Sequence, residues 1–144
     1  MITDPFHTVL DTNILFAGLY SKRGASFKIL QAVKSGKIKP TLSVALLFEY
    51  EDVLKRNSRR LGFNYREIDY FLDNICFLGS FQKIHYLWRP FLPDPKDDHV
   101  LELAIASQVR NITTFNVKDF KGVDKFGVNI LRPKDLLEAA KWEL

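Results

Sequence analysis

The sequence predicts an α/β fold with a mostly parallel sheet of roughly five strands and helices on both faces. Short apolar segments alternate along the chain with longer segments whose apolar residues recur at helical spacing. Two of the short segments end in small polar residues, as strands do at the carboxyl edge of an open α/β sheet. With 144 residues, of which 47% are hydrophobic and 26% charged, the chain is expected to form one domain over residues 1–144.

The first half of the chain is predicted to contain two strands and four helices. A strand at 6–10 precedes helices at 14–20 and 25–34, and Gly36 supplies a stop for the second of these. A strand at 39–42 leads into a helix at 44–57, for which Ser43 is the expected N-cap. A helix at 66–78 follows. These last two helices are predicted to form a hairpin over residues 43–79.

The second half is predicted to contain three strands and two helices. A strand at 83–87 precedes a proline-rich, extended connection. The helix that follows runs from Asp97 and Asp98 to Val109 and is apolar almost all the way round, which is typical of a buried helix or an oligomer interface. Strands at 111–115 and 127–131 and a closing helix at 133–141 complete the prediction.

Asp11 follows the first predicted strand and is the leading candidate for a functional acid. Its position at the carboxyl edge of the sheet is where ligands bind in open α/β folds. Asp, Thr and Asn are also good helix N-caps, so a purely structural role is the alternative. We expect the roles to be divided, with Thr12 or Asn13 capping the helix while Asp11 faces the crevice.

Three further acids are predicted to reach the same edge. Glu49 lies at the border of an apolar helical stripe, Asp98 opens a helix, and Asp119 follows the fourth strand. Each has an ordinary alternative, since Glu49 could pair with a base and Asp98 could complement a helix dipole. Carboxylates brought together repel one another unless a cation neutralises them. Oxygen ligands favour Mg²⁺ or Mn²⁺ over Zn²⁺.

The charge distribution favours a polyanionic substrate. The net charge is +4, and without the four candidate acids the 21 basic residues would leave +8. A phosphate-binding loop, a dinucleotide-binding glycine motif and a nucleophile elbow are absent from the sequence, and the three histidines lack zinc-site spacing. His99 is interpreted as a surface or packing residue. The candidate contacts to the phosphates of such a substrate are Lys22, Arg23, Arg56 and Arg59, although cations at a helix end also complement its dipole.

The single cysteine and the absence of a long apolar run indicate the expected environment. Cys76 lies in an apolar segment, cannot form an intrachain disulfide, and is expected to pack in the core. No apolar stretch approaches the ~20 residues that span a bilayer, and the N-terminus lacks a basic signal-peptide region. We therefore expect a cytoplasmic protein without a membrane partner.

Four motifs in this order give the chain a resemblance to the PIN-domain family, over nearly its whole length. They are Val9-Leu10-Asp11-Thr12-Asn13, Leu46-Leu47-Phe48-Glu49-Tyr50, the segment from Pro93 to Asp98 running into Leu101-Glu102-Leu103-Ala104, and Thr114-Phe115-Asn116-Val117-Lys118-Asp119-Phe120. The chain is most similar to stand-alone PIN proteins of the VapC-like type, which are toxins of toxin–antitoxin pairs. The resemblance implies a three-layer sandwich and cleavage of RNA that depends on Mg²⁺ or Mn²⁺.

The resemblance also implies roles for individual residues. Asp11, Glu49 and Asp98 match the first three acids of the family, and Asp119 is the choice for the fourth, with Asn116 as an alternative. Asp97 is a neighbour that replaces or assists Asp98. Thr12, Asn13 and Thr114 are expected to orient the carboxylates or a metal-bound water.

As a toxin the chain would have an antitoxin partner, and its apolar helices make a homodimer an expectation as well. The main alternative is a PIN-like RNA-binding scaffold that has lost catalysis. A phosphatase with Asp11 as nucleophile is a further alternative, but Asn13 stands where a second Asp is usual.

Overall fold

Five parallel strands form the central sheet in the computed structural model, which describes residues 4–84 and 92–142. The strands are β1 (Phe6–Leu10), β2 (Ile38–Leu42), β3 (Ser80–Phe81), β4 (Asn111–Thr113) and β5 (Asn129–Leu131), in the spatial order β3-β2-β1-β4-β5. Every neighbouring pair is parallel. The predicted α/β class and sheet are therefore confirmed.

Seven α-helices connect these strands in the described part of the chain: α1 (Thr12–Tyr20), α2 (Ala25–Ser35), α3 (Val44–Arg56), α4 (Ser58–Leu61), α5 (Tyr65–Leu78), α6 (Asp98–Ala106) and α7 (Pro133–Ala139). Short 3-10 helices occupy Pro95–Asp97, Val117–Phe120 and Val123–Phe126. None of the described helices is long and apolar enough to cross a membrane.

The direction in which strands are added to the sheet reverses between β1 and β4. The chain moves outward from β1 to β2 and β3, then returns through α6 to β4 on the other side of β1. Since right-handed crossovers on the two sides of such a reversal lie on opposite faces, helices cover the sheet on both. The reversal opens a crevice beyond the carboxyl ends of β1 and β4, which is where open α/β sheets bind ligands.

The third strand is not where the sequence predicted it. The prediction was 83–87, but β3 is Ser80–Phe81, and it pairs with Thr41 and Leu42 directly after α5. Gly79 permits this early return, because a Cβ there would lie 2.8 Å from both the Leu42 side chain and the Pro40 carbonyl oxygen. Residues 85–87 of the predicted strand lie outside the described residues.

Several helices and strands also end at residues other than the predicted ones. The helix predicted to reach residue 109 ends at Ala106, and Gln108 and Arg110 then adopt left-handed φ angles of 62° and 59°. The strands predicted at 111–115 and 127–131 are shorter, at Asn111–Thr113 and Asn129–Leu131. The predicted helix at 44–57 is α3, and α4 then interrupts the predicted hairpin before α5 begins.

Candidate active site

Asp11 is the first residue beyond β1 and is held from three sides. Its N–H donates to the Thr113 carbonyl at 2.9 Å, which extends the pairing of β1 with β4. One carboxylate oxygen, Oδ1, accepts from the Thr12 N–H at 2.9 Å, and the other, Oδ2, accepts from the Thr114 hydroxyl at 2.7 Å. The side chain is 8% exposed. The predicted division of roles is wrong, because Asp11 itself is the N-cap of α1.

Thr114 fixes the direction of the Asp11 carboxylate. It is fully buried just after β4, and its hydroxyl accepts from the Asn13 amide at 3.3 Å and from the Asn116 N–H at 3.0 Å. Those two donors leave the hydroxyl proton to Asp11, since a hydroxyl has one proton and two lone pairs. The Asn13 amide also lies 3.5 Å from Oδ2 of Asp11. Asn116 itself is exposed.

The surroundings of Asp11 favour the protonated form of its carboxyl group. Burial raises the pKa of its carboxyl group above the ordinary value of 3.8, the hydrogen bonds from Thr114 and Thr12 lower it, and the charge of Glu49 raises it. The net change is upward. A cation beside this carboxylate would favour its ionised form.

Glu49 joins three helices at the edge of the site. It lies on α3, where one oxygen accepts from the Thr12 hydroxyl of α1 and the other lies 3.1 Å from Nε2 of His99 on α6. Burial alone would raise the pKa of the Glu49 carboxyl group, but the contacts with His99 and Thr12 bring it below its ordinary value. Glu49 is therefore ionised at neutral pH.

His99 is a site residue that the sequence interpretation missed. Its ring is 22% exposed and forms an ion pair with Glu49 when it is protonated. The available signal was its position beside Asp98 in the first turn of α6. Its partner, 50 positions earlier, is not recognisable in the sequence, because the pairing depends on how α3 crosses α6.

Tyr50 anchors the helix that carries Glu49. Its ring is fully buried, and its hydroxyl donates to the Leu10 carbonyl at 2.5 Å, at the end of β1. The residue before Asp11 is thus tied to the residue after Glu49. This contact sets the position of α3 relative to the strand end.

Asp98 and Asp97 are adjacent but have different surroundings. Asp98 is 7% exposed, and its Oδ1 accepts from the Leu92 N–H at 2.9 Å. Asp97 is half-buried, and its pKa is raised from 3.8 to about 6. Burial is the largest cause, and the negative charges that follow it belong to Asp11, Asp94, Asp119 and Glu49.

Acids from three other parts of the chain therefore lie within electrostatic reach of Asp97. Asp119 belongs to the 3-10 helix after β4 and is half-buried. Its charge, with those of Asp11 and Glu49, acts on Asp97. This concentration of negative charge lies at the crevice between β1 and β4.

Replacing Asp97 with Asn is expected to stabilise the metal-free protein at neutral pH. The folded protein keeps the Asp97 proton up to a pKa of about 6, whereas the unfolded chain releases it near 3.8, so ionisation disfavours the folded state as pH rises between these values. Allowing for solvent screening, the gain is on the order of 1 kcal/mol. Urea unfolding in EDTA at several pH values measures it. A variant no more stable than wild type would contradict the repulsion.

The four basic candidates differ in whether they are paired with an acid. Lys22, Arg23 and Arg59 are exposed, and none has a carboxylate within ion-pair distance among residues 4–84 and 92–142. Arg56 instead pairs with Asp52 at 3.0 Å, so part of its charge is already offset.

The acids suit a hydrated divalent cation better than a closed cage. Within the described residues no group of three or more His, Cys, Asp or Glu side chains is gathered as the ligands of one ion. Mg²⁺ usually keeps several waters and uses only one or two carboxylates, so a closed cage is not required. The negative charges that help to raise the pKa of Asp97 give this edge a potential that favours a cation.

Comparison with known proteins gives one family match. A family model described as PIN domain matches residues 7–118. The matched region contains Asp11, Glu49, Asp97 and Asp98 and stops one residue before Asp119. A search of curated proteins finds no match.

Proposed function

Since the chain belongs to the PIN-domain family, we propose that it is a metal-dependent endoribonuclease and the toxin of a toxin–antitoxin pair. PIN domains are generally nucleases. The observation that carries the proposal is that acids from separate parts of the chain, Asp11, Glu49 and Asp119, lie close enough to Asp97 to raise its pKa, at the edge where β1 and β4 end. Carboxylates that repel one another destabilise a protein surface unless a cation neutralises them. Their grouping is therefore expected at a site that binds a cation.

In this proposal Asp11, Glu49, Asp98 and Asp119 would hold a hydrated cation, one or two of them directly and the others through its waters, with Asn116 as the alternative to Asp119. Mg²⁺ or Mn²⁺ held there would supply a water molecule of lowered pKa and positive charge opposite the scissile phosphate. Asp11 presents a carboxylate whose direction Thr114 and Asn13 hold constant, so little reorganisation is needed on substrate binding.

The neighbouring polar residues hold the acids in fixed directions. Thr12 and His99 hold the two oxygens of Glu49, and the Leu92 N–H holds one oxygen of Asp98. Asp97 adds negative charge and assists Asp98. In this proposal a water molecule attacks the scissile phosphorus in line, and the bond from phosphorus to the leaving oxygen breaks.

The basic residues are proposed to bind the RNA backbone. Lys22, Arg23 and Arg59 supply exposed positive charge. Arg56 contributes less, because its ion pair with Asp52 offsets part of its charge. Phosphate contacts of this kind position a substrate without reading its sequence. The net charge of +4 supports attraction of a polyanion.

The toxin role and its partners rest on the similarity to stand-alone PIN proteins. An antitoxin would inhibit by covering the acids or the basic residues, and a second copy of the chain is the proposed oligomeric partner. Induced expression should arrest growth, and the arrest should be lost when Asp11 is replaced by Asn. Arrest by both proteins alike would contradict a toxin that acts through this site.

Divalent-dependent cleavage of a mixed RNA pool tests the nuclease proposal. The full chain is incubated with the RNA pool and a matching DNA pool in Mg²⁺, in Mn²⁺ and in EDTA, and cut sites are mapped. We expect internal RNA cuts only with a divalent ion, and their return when the ion is restored after EDTA. RNA binding without cleavage under any of these conditions would favour the inactive scaffold instead.

A further inference from the structure

One row of side chains on α1 leads from the acids to two aromatic rings, of which Phe16 is half-buried against the core and Tyr20 is exposed. Thr12, Phe16 and Tyr20 are spaced four residues apart and so lie on one side of the helix. Thr12 contacts Glu49 at one end, and Tyr20 lies about 12 Å further along the helix axis. The Phe16 and Tyr20 rings are stacked, with centroids 5.8 Å apart and planes inclined by 16°. Tyr20 is 55% exposed.

An arginine completes this surface. The guanidinium carbon of Arg60, on α4, lies 5.3 Å from the centroid of each of the two rings. Arg60 is exposed, and within the described residues no carboxylate lies at ion-pair distance from it. Its charge is therefore open to an anion from solvent. We call Phe16, Tyr20 and Arg60 the aromatic platform.

The segments that carry the aromatic platform contain no acidic residue. The sequence has no Asp or Glu from residue 12 to residue 48, nor from residue 53 to residue 66. Lys22 and Arg23 follow Tyr20 in the turn after α1, and Arg59 precedes Arg60. Exposed aromatic rings bordered by unpaired cations are the features with which proteins bind single-stranded nucleic acids.

We propose that the aromatic platform is a binding subsite that stacks an unpaired base of the RNA at about 12 Å along α1 from the site of cleavage. Bases of unpaired RNA stack on aromatic rings and on guanidinium planes, and both are present here. The bases of a duplex are already stacked, so the subsite selects single-stranded segments. This inference rests on the proposed function, because it takes the acids next to Thr12 as the site of cleavage.

A second aromatic–cation pair in the same chain shows what a purely structural contact looks like. Lys55 lies 5.4 Å from the centroid of the Tyr65 ring, and Tyr65 is 57% exposed. Lys55, however, is paired with Glu51 at 3.1 Å and with Asp69 at 2.7 Å. That cation is already neutralised, and Tyr65 therefore provides a matched control for Tyr20.

The test compares a short fluorescein-labelled oligouridylate with the same backbone carrying abasic riboses. Binding is measured by fluorescence anisotropy with the full chain in EDTA, so that cleavage does not interfere. Wild type and Tyr65→Leu are expected to bind the base-bearing RNA about tenfold more tightly than the abasic one. Tyr20→Leu is expected to lose this preference while its affinity for the abasic RNA is unchanged.

A second variant separates stacking from charge. Arg60→Lys keeps the positive charge but loses the planar guanidinium, so it should weaken binding of the base-bearing RNA more than binding of the abasic RNA. Equal binding of the two RNAs by wild type, or equal losses in Tyr20→Leu and Tyr65→Leu, would overturn the subsite. Base-dependent binding without divalent-dependent cleavage would instead contradict the nuclease proposal and leave the subsite standing.

Discussion

The Asp11→Asn variant is expected to cleave RNA at least about 100-fold more slowly than wild type at saturating Mg²⁺, with its fold unchanged. Asn lacks the negative charge that would attract the cation, but it keeps an oxygen that caps the Thr12 N–H. Thr114 can turn its hydroxyl proton away and accept from the new amide in place of the Asn13 amide, whose contact with it is 3.3 Å long. Burial disfavours the ionised form of the Asp11 carboxyl group. Replacing that carboxylate with a neutral amide should therefore not lower the free energy of unfolding.

Rates of cleavage, far-ultraviolet circular dichroism and urea unfolding measure these two expectations together. Asp73→Asn is the matched control, since it makes the same chemical change at an exposed position on α5. The control should retain wild-type activity. Normal cleavage by a folded Asp11→Asn protein would remove Asp11 from the reaction and with it the proposed centre.

The sheet could be predicted from the sequence wherever a strand is both apolar and long. β1 and β2 are five residues each and end in buried residues, so their hydrophobic pattern is clear. β3 has only two residues, neither of them buried, and its place is set by the close approach of Gly79 to Leu42 and Pro40. A tertiary contact of that kind leaves no periodicity in the sequence.

The sequence allowed us to predict which segments of the chain come together at the site. It gave less information about which side-chain atoms contact one another there. Because parallel strands end at one edge, Asp11 and Thr114 could be placed near one another before the structure was known. That Asp11 is itself the N-cap of α1 depends on the direction of its side chain, which accepts a hydrogen bond from the Thr12 N–H. The pairing of His99 with Glu49 depends on the crossing of two helices.

Asp98→Asn is the second variant for which we expect a loss of cleavage of about 100-fold or more. The Leu92 N–H can still donate to the Asn side-chain oxygen, so this variant should fold with wild-type stability. Asp98→Ala removes that buried acceptor and should also lose about 1–3 kcal/mol in urea unfolding. The difference between the two variants separates the role of Asp98 in holding the 92–98 connection from its role in chemistry.

Asp97→Asn decides between the two adjacent acids. If Asp98 holds the cation and Asp97 only assists it, Asp97→Asn should cost about tenfold in cleavage, most of it recovered at higher Mg²⁺ concentration. The charges of Asp11, Glu49 and Asp119 already act on Asp97, so its removal weakens the negative potential without removing a ligand. A larger loss in Asp97→Asn than in Asp98→Asn, not recovered by Mg²⁺, would transfer the ligand role to Asp97. The Leu92 contact of Asp98 would then be purely structural.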